Sequence, residues 1–263
     1  MPISDSGGLK CFTFDIFPRT GLVHGLYTRQ GGVSPAPWSS LNLGGTVGDE
    51  RANVVENRRR IFAAVDRPVE SIFDVWQVHG THAIASRIPR PLDGAHQQAD
   101  IILTDQPAIT LFMRFADCVP ILFYDPRKRV VCVAHAGWKG TLARAAGAAV
   151  AAMVETYGCC AGDILAGIGP SICRRCYEVG AEVVAAARTA FDGSAGNILE
   201  PRGERMHLDL WEANRIALVD AGIQARNIEV AGLCTAENTD LWYSHRAEKG
   251  RTGRFGALLA LEE

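Results

Sequence analysis

The sequence predicts a mixed α/β fold of α+β character, and three observations predict it. Short apolar runs of strand type recur from the first residues to the last. Helical segments, one of them alanine-rich, stand between them. The earliest strands arrive with no helix between them, which argues against a regular doubly wound arrangement.

Residues 11–17 and 23–28 read as strands. The loop Arg29-Gln30-Gly31-Gly32-Val33-Ser34-Pro35 and a turn-rich stretch over 38–45 follow. Residues 49–65 read as a helix, with Asp49 as N-cap and an apolar stripe of Val54, Val55, Ile61 and Phe62. Residues 73–78 read as a strand ending at His79-Gly80. Residues 101–104, 108–115, 119–124 and 129–134 are further strands, the last two stopped by Asp125-Pro126 and His135-Ala136-Gly137. Residues 141–157 are helical, and Gly158 closes that helix. A strand at 164–168 ends at Gly169-Pro170. Helices at 178–191 and 209–221, then strands at 228–233 and 255–261, complete the chain.

No internal repeat, low-complexity tract or Gly/Ser/Pro-rich linker divides the 263 residues, so one domain over 1–263 is expected. The polar first ten or so residues are expected to be an unstructured tail. They lack the basic start and apolar run of a signal peptide, and no segment is apolar for long enough to span a bilayer. The expectation is a soluble, cytoplasmic protein. Its formal net charge of −2, without a long block of like charge, offers no electrostatic case for nucleic acid or an anionic membrane. The eight cysteines then read as thiols, and Cys132 reads as a core residue from its neighbours Val130, Val131 and Val133.

Three segments share one design, an apolar run beside a reactive side chain at a turn. They are Trp76-Gln77-Val78-His79-Gly80, Ala116-Asp117-Cys118-Val119-Pro120 and Ala134-His135-Ala136-Gly137-Trp138. Strand ends fix the backbone while the loop exposes the side chain. Two imidazoles and a thiolate make a soft ligand set that suits zinc or copper and is wrong for magnesium or calcium. Three protein ligands leave a tetrahedral position open for water or substrate. Taken singly, each residue reads better as something ordinary: His79 as a turn histidine, Cys118 as a buried thiol and His135 as a carbonyl cap.

The same segments resemble a known family, the YfiH-type proteins, also called laccase-domain or polyphenol-oxidase-like proteins. The resemblance rests on Thr28-Arg29-Gln30-Gly31-Gly32-Val33-Ser34, Ser40-Leu41-Asn42-Leu43-Gly44, Val47-Gly48-Asp49 and Gln77-Val78-His79-Gly80. It continues through Ala116-Asp117-Cys118-Val119-Pro120, His135-Ala136-Gly137-Trp138-Lys139-Gly140, Gly169-Pro170-Ser171-Ile172 and Tyr177-Glu178-Val179-Gly180. Cys234-Thr235 and Tyr243-Ser244-His245-Arg246 close it. The resemblance implies one zinc or copper ion on His79, Cys118 and His135. It implies a single domain of layered mixed β-sheets flanked by helices. It also implies phosphorolysis of adenosine, inosine and 5′-methylthioadenosine, with deamination of adenosine as a further activity. The family's older label is laccase. Seven histidines without a His-X-His pair do not supply the ligands of a multicopper oxidase, so phenol oxidation would be a side reaction of bound copper.

Catalytic roles are expected for Cys118, His135 and Asp117. Asp117 adjoins Cys118 and serves as proton shuttle only if the chain bends there, since neighbours on a strand point to opposite faces. It reads equally as a loop-ordering acceptor. Phosphate binding is expected first of Arg29, with Arg246, His245 and Lys139 behind it. Two other readings stand: a metal-free hydrolase or deamidase with Cys118 as nucleophile and His135 as base, and a cell-wall-editing or partner-binding protein whose metal is structural. A fourth ligand, His82 or Cys173, would mark the structural case.

Cys173-Arg174-Arg175-Cys176 is a lone C-x-x-C. A zinc ribbon needs two such pairs, and a redox dithiol needs the start of a helix. Two positions depart from the family pattern. Thr46 replaces a histidine before Val47-Gly48-Asp49, and Ala247 replaces a second arginine after Arg246.

Overall fold

A computed structural model of the chain describes residues 3–6 and 8–263. Two six-stranded sheets face each other, and helices cover their outer faces. The first sheet runs Ile3–Ser6, Leu9–Phe12, Leu22–Tyr27, Phe255–Leu261, Thr110–Phe115 and Ile72–Phe73. Its pairs are antiparallel except the last. The second runs Ile228–Val230, Leu165–Ile168, Val119–Asp125, Val130–Ala136, Ile101–Thr104 and Ala83–Ala85. Its two edge pairs are parallel and its inner pairs antiparallel. The α/β class expected from sequence is the class observed.

Alternation along the central strands sorts their side chains. Val119, Ile121 and Phe123, with Val130, Cys132 and Ala134, face the helices Ala145–Tyr157, Ala181–Ala190 and Leu210–Asp220. Leu122, Val131 and Val133 face the first sheet, where Leu111, Met113, Ala257 and Leu259 meet them. With both faces buried, these strands read as unbroken apolar runs. The same period puts His135 on the first-sheet face, its ring centroid 5.6 Å from that of Phe115. On the far side of the first sheet, Tyr27, Phe112 and Leu258 pack on Ile61 and Phe62 of the helix Arg51–Ala63.

Several elements differ from expectation, each for a local reason. The expected N-terminal tail is a hairpin where it is described, because Ile3–Ser6 pairs with Leu9–Phe12 and Ile3 reaches the core between the sheets. Met1, Pro2 and Gly7 lie outside the described residues. The strand expected at 73–78 is only Ile72–Phe73. The helix at 178–191 begins at Ala181, because Glu178–Val179 pairs with the strand Arg205–Leu208. That strand and Leu199–Arg202 form a hairpin, missed in the sequence, around Gly203 at φ 62°. The helix at 141–157 is two, Trp138–Leu142 and Ala145–Tyr157, broken where Arg144 takes φ 61°. Asp49 is not an N-cap. Its carboxylate accepts from Ser34 Oγ at 2.6 Å and Asn42 Nδ2 at 2.9 Å, and Glu50 precedes the helix without a side-chain cap.

Asp74, just past the Ile72–Phe73 strand, is buried and ties three pieces together. Its carboxylate meets Arg90 Nε at 2.6 Å, Arg114 Nη1 at 3.0 Å, His96 Nε2 at 3.1 Å and Arg58 Nη1 at 3.8 Å. Arg58 lies on the outer helix, Arg114 on the first sheet, and Arg90 and His96 on the connecting loop. Burial alone would raise its pKa, but His96 and the arginines outweigh burial and hold the carboxyl far below the usual range. A depressed folded-state value gives stability that is complete above the unfolded value of ~3.9 and is lost as pH falls toward the folded one. Asp74→Asn should therefore cost about 3–5 kcal/mol near neutrality. It should also flatten the loss of stability between roughly pH 4 and 2. Urea unfolding of both proteins across that range checks this, and an equal acid slope in the two would refute it.

Candidate metal centre

The three expected donors converge. His79 sits at φ 64° in the turn after Val78, Cys118 in the bend between two strands of opposite sheets, and His135 on the strand Val130–Ala136. Their donor atoms all lie within 4.8 Å of one another. The two imidazole centroids are 4.8 Å apart at 76°, and His79 Nε2 is 3.9 Å from Cys118 Sγ. His135 is buried, Cys118 half-buried and His79 exposed, so the cluster runs from core to solvent.

One residue that sequence reasoning missed organises it. Asp100, fully buried just before the strand Ile101–Thr104, accepts the backbone N–H groups of Val78, His79 and Gly80 at 3.2, 2.9 and 2.6 Å. Its Oδ1 lies 2.7 Å from His135 Nδ1, and its own carbonyl accepts from the His135 N–H at 2.8 Å. Burial would raise its pKa, but His135 and these N–H groups hold it below the ordinary value. An ionised Asp100 accepts the Nδ1 proton of His135, so Nε2, the nitrogen that faces Cys118, is the one that would give up its proton to bind a metal. The signal was positional, since Ile101 pairs with Ala134 and the preceding residue therefore falls beside His135.

The donors fit a soft cation. Burial pushes the Cys118 thiol up, but the imidazoles of His135 and His79 outweigh it and bring it down to about 6. Burial lowers His135, while Cys118 and Asp100 raise it to about 9. The sulfur is held as a thiolate, the form in which it ligates a metal. Gly137 adjoins it at an ordinary φ of −71°, yet a Cβ there would lie 2.8 Å from His79 Cδ2 and 3.0 Å from Cys118 Sγ. His82 and Cys173 lie outside the cluster, so no fourth side-chain donor joins it among the described residues.

The cluster stands where two cavities meet. One of about 300 Å³ is lined by His79, Cys118, Asp117, Lys139, Trp138 and Tyr177, among others. The other, about 1070 Å³, shares His79, Cys118, Asp117 and Tyr177 and adds His135, His245 and six arginines: 51, 58, 90, 114, 246 and 254. Asp117 does bend the chain, at φ 79°, and so reaches both cavities. Its oxygens accept from Thr235 Oγ1 and the Arg246 N–H, both at 2.6 Å. Arg246 also lies over the Tyr177 ring at 5.1 Å. Arg29 lies elsewhere. It lines neither cavity and ties loops together instead, through Ser39 O at 2.9 Å, Thr239 O at 2.6 Å and Glu248 at 3.0 Å, stacked 4.5 Å over Tyr243. Of the arginines that do line the large cavity, Arg246 was expected at the site, whereas Arg51, Arg58, Arg90, Arg114 and Arg254 were not, because they are scattered along the sequence.

Comparisons place this architecture. A family model described as multi-copper polyphenol oxidoreductase laccase matches residues 23–262. Purine nucleoside phosphorylase YlmD of Bacillus subtilis is 38% identical over 249 residues, covering 92% of this chain and 89% of that protein. The purine nucleoside phosphorylase of Deinococcus radiodurans is 38% identical over 244 residues, covering 93% and 91%. Among solved structures, YlmD from Geobacillus stearothermophilus superposes at a TM-score of 0.93 with 34% identity over 99% of this chain and 98% of that one. The hypothetical protein YfiH of Bacillus licheniformis gives 0.91 and 32%, covering 98% of both. With matches that run almost end to end in sequence and fold, the chain belongs to the laccase-domain family that includes the YfiH and YlmD proteins.

Proposed function

We propose that the chain is a metal-dependent purine nucleoside phosphorylase acting on adenosine, inosine or 5′-methylthioadenosine. The observation that carries this reading is the place of the three-donor cluster, at the mouth of an arginine-lined cavity. The names of the relatives supply the reaction class. Phosphorolysis breaks the C1′–N9 bond and forms a C1′–O bond to phosphate, and the electron pair leaves with the purine, which takes up a proton. A zinc or copper ion on His79, Cys118 and His135 would supply a Lewis acid there.

The chain's own residues do the rest. Arg58, Arg90 and Arg114 carry three positive charges against the single carboxylate of Asp74, leaving a positive field for a phosphate dianion. Half-exposed Trp76 and the Tyr177 ring offer faces to a purine. Lys139 lines the smaller cavity and His245 the larger, so each would meet a different part of a nucleoside that occupied both. Asp117 acts as a positioning residue, because both of its oxygens already hold the Thr235 and Arg246 segments. The metal-free hydrolase reading is less favoured, since a Cys118–His135 pair needs one base and a second imidazole faces the same sulfur. Multicopper chemistry is disfavoured because only one of the two metal-competent clusters among the described residues contains histidine.

A product assay tests the proposal. Protein of known metal content should release free base from adenosine or inosine only with phosphate present. His79→Ala, Cys118→Ala or His135→Ala should each lose at least about 100-fold in rate. Inosine formed from adenosine without phosphate would assign deamination instead, and no product under any condition would end the purine reading. Asp100→Asn, which removes the charge behind His135, should weaken metal binding by about 10–100-fold in a chelator competition. Unchanged affinity would detach Asp100 from the centre. Arg29→Ala should lower stability by about 2 kcal/mol through its lost charged hydrogen bonds. The KM for phosphate should stay where it is, and a rise would return Arg29 to the phosphate site.

A further inference from the structure

A second group of metal-competent side chains lies apart from the first. The lone Cys173-x-x-Cys176 pair has a counterpart that a count of cysteine pairs passes over, Cys234-Thr235-Ala236-Glu237, a C-x-x-E of equal spacing. The fold brings the two together. Three sulfurs and one carboxylate oxygen lie within 4.8 Å of one another. We propose that Cys173, Cys176, Cys234 and Glu237 form a closed, structural zinc site.

The geometry suits a small tetrahedral cation. With Zn–S of ~2.3 Å and Zn–O of ~2.0 Å, ligand sulfur and oxygen should stand ~3.5 Å apart. Glu237 Oε1 is 3.6 Å from Cys173 Sγ and 3.5 Å from Cys176 Sγ. Cys234 Sγ accepts the Cys173 backbone N–H at 3.3 Å, which holds it beside the Cys173-x-x-Cys176 turn. Arg175 grips Glu237 from outside, at 3.0 Å to Oε1 and 2.7 Å to Oε2. That clamp aims the carboxylate and offsets part of the charge of three thiolates. Four protein ligands leave no open position, which marks a structural rather than a catalytic ion. A redox dithiol is the weaker reading, because Tyr177 leads into a strand and the next helix begins only at Ala181.

Such an ion would brace the first centre without touching it. Ser171 and Cys234 are bridged through their backbones, and the Thr235 N–H donates to Ser171 O at 3.1 Å. One of the joined segments carries Tyr177 into both cavities, and the other carries Thr235, which holds Asp117. Zinc here would fix two walls of the cavity at once.

The test counts metal in the full chain, purified under reducing conditions and supplied with zinc. Cys176→Ser and Glu237→Gln should each lower the content by about one zinc per chain. The same loss should appear in a His79→Ala/His135→Ala background, so the result does not depend on the first centre or on activity. X-ray absorption of zinc in that background should show about three sulfurs at ~2.3 Å. Unchanged zinc content in either variant would overturn the proposal. So would a folded background protein, by circular dichroism, that binds no zinc. A disulfide among Cys173, Cys176 and Cys234 in protein purified without reductant would assign the cluster to redox chemistry instead.

Discussion

The site depends on one buried carboxylate. Asp100 takes three successive N–H groups of the 78–80 turn and the Nδ1 of His135. Each of those bonds is ordinary, but together they join the 78–80 turn to His135 through one side chain. They hold His79 in a left-handed conformation that a side chain otherwise avoids. They settle which nitrogen of His135 faces the sulfur. Without the carboxylate, three N–H groups beneath the site would lose their partner, at about 1–3 kcal/mol each. The two histidines are therefore a single unit, oriented by one anion between them.

Asp74 plays a comparable part for the large cavity, with the signs reversed in number. At Asp100 one carboxylate gathers neutral donors and a histidine. At Asp74 one carboxylate is outnumbered by Arg58, Arg90, Arg114 and His96. That cluster borders a cavity whose lining also includes Arg51, Arg246 and Arg254 against the carboxylates of Asp93 and Asp117, so arginines outnumber acids there. Arg58 Nε is buried and has no hydrogen-bond partner among the described residues. Buried cations in excess of their counter-ions are costly unless a further anion completes them. Phosphate is the anion that the proposed reaction requires, so the cost and the function share one explanation.

Much of this was legible in the chain, and what was not has a physical reason. The α/β class followed from apolar runs whose two faces are both buried. His79, Cys118 and His135 stood out because each ends or interrupts such a run. Asp100 did not, since an acid before a strand is commonplace and its partners lie 20 to 35 residues away. Arg29 drew attention through its flexible neighbours, whereas its guanidinium is occupied by two carbonyls and Glu248. Arg58, Arg90 and Arg114 were invisible as a group because a helix, a loop and a strand carry them. The hairpin of Leu199–Arg202 and Arg205–Leu208 was missed because its strands are only four residues each and half of those residues are charged or histidine.

The two metal-competent clusters differ in what occupies the fourth direction. At Cys173, Cys176 and Cys234, Glu237 fills it and Arg175 locks the carboxylate in place. At His79, Cys118 and His135, the residue alongside is Gly137. Even a methyl group there would press on the His79 ring and the Cys118 sulfur. Gly137 has an ordinary φ, so the requirement is for space and not for backbone freedom. That space keeps the three-donor cluster open to the smaller cavity, which Gly137 lines. The proposed structural and reactive centres share only cysteine as a donor, and they differ also in closure, with a clamped glutamate beside one and an absent side chain beside the other.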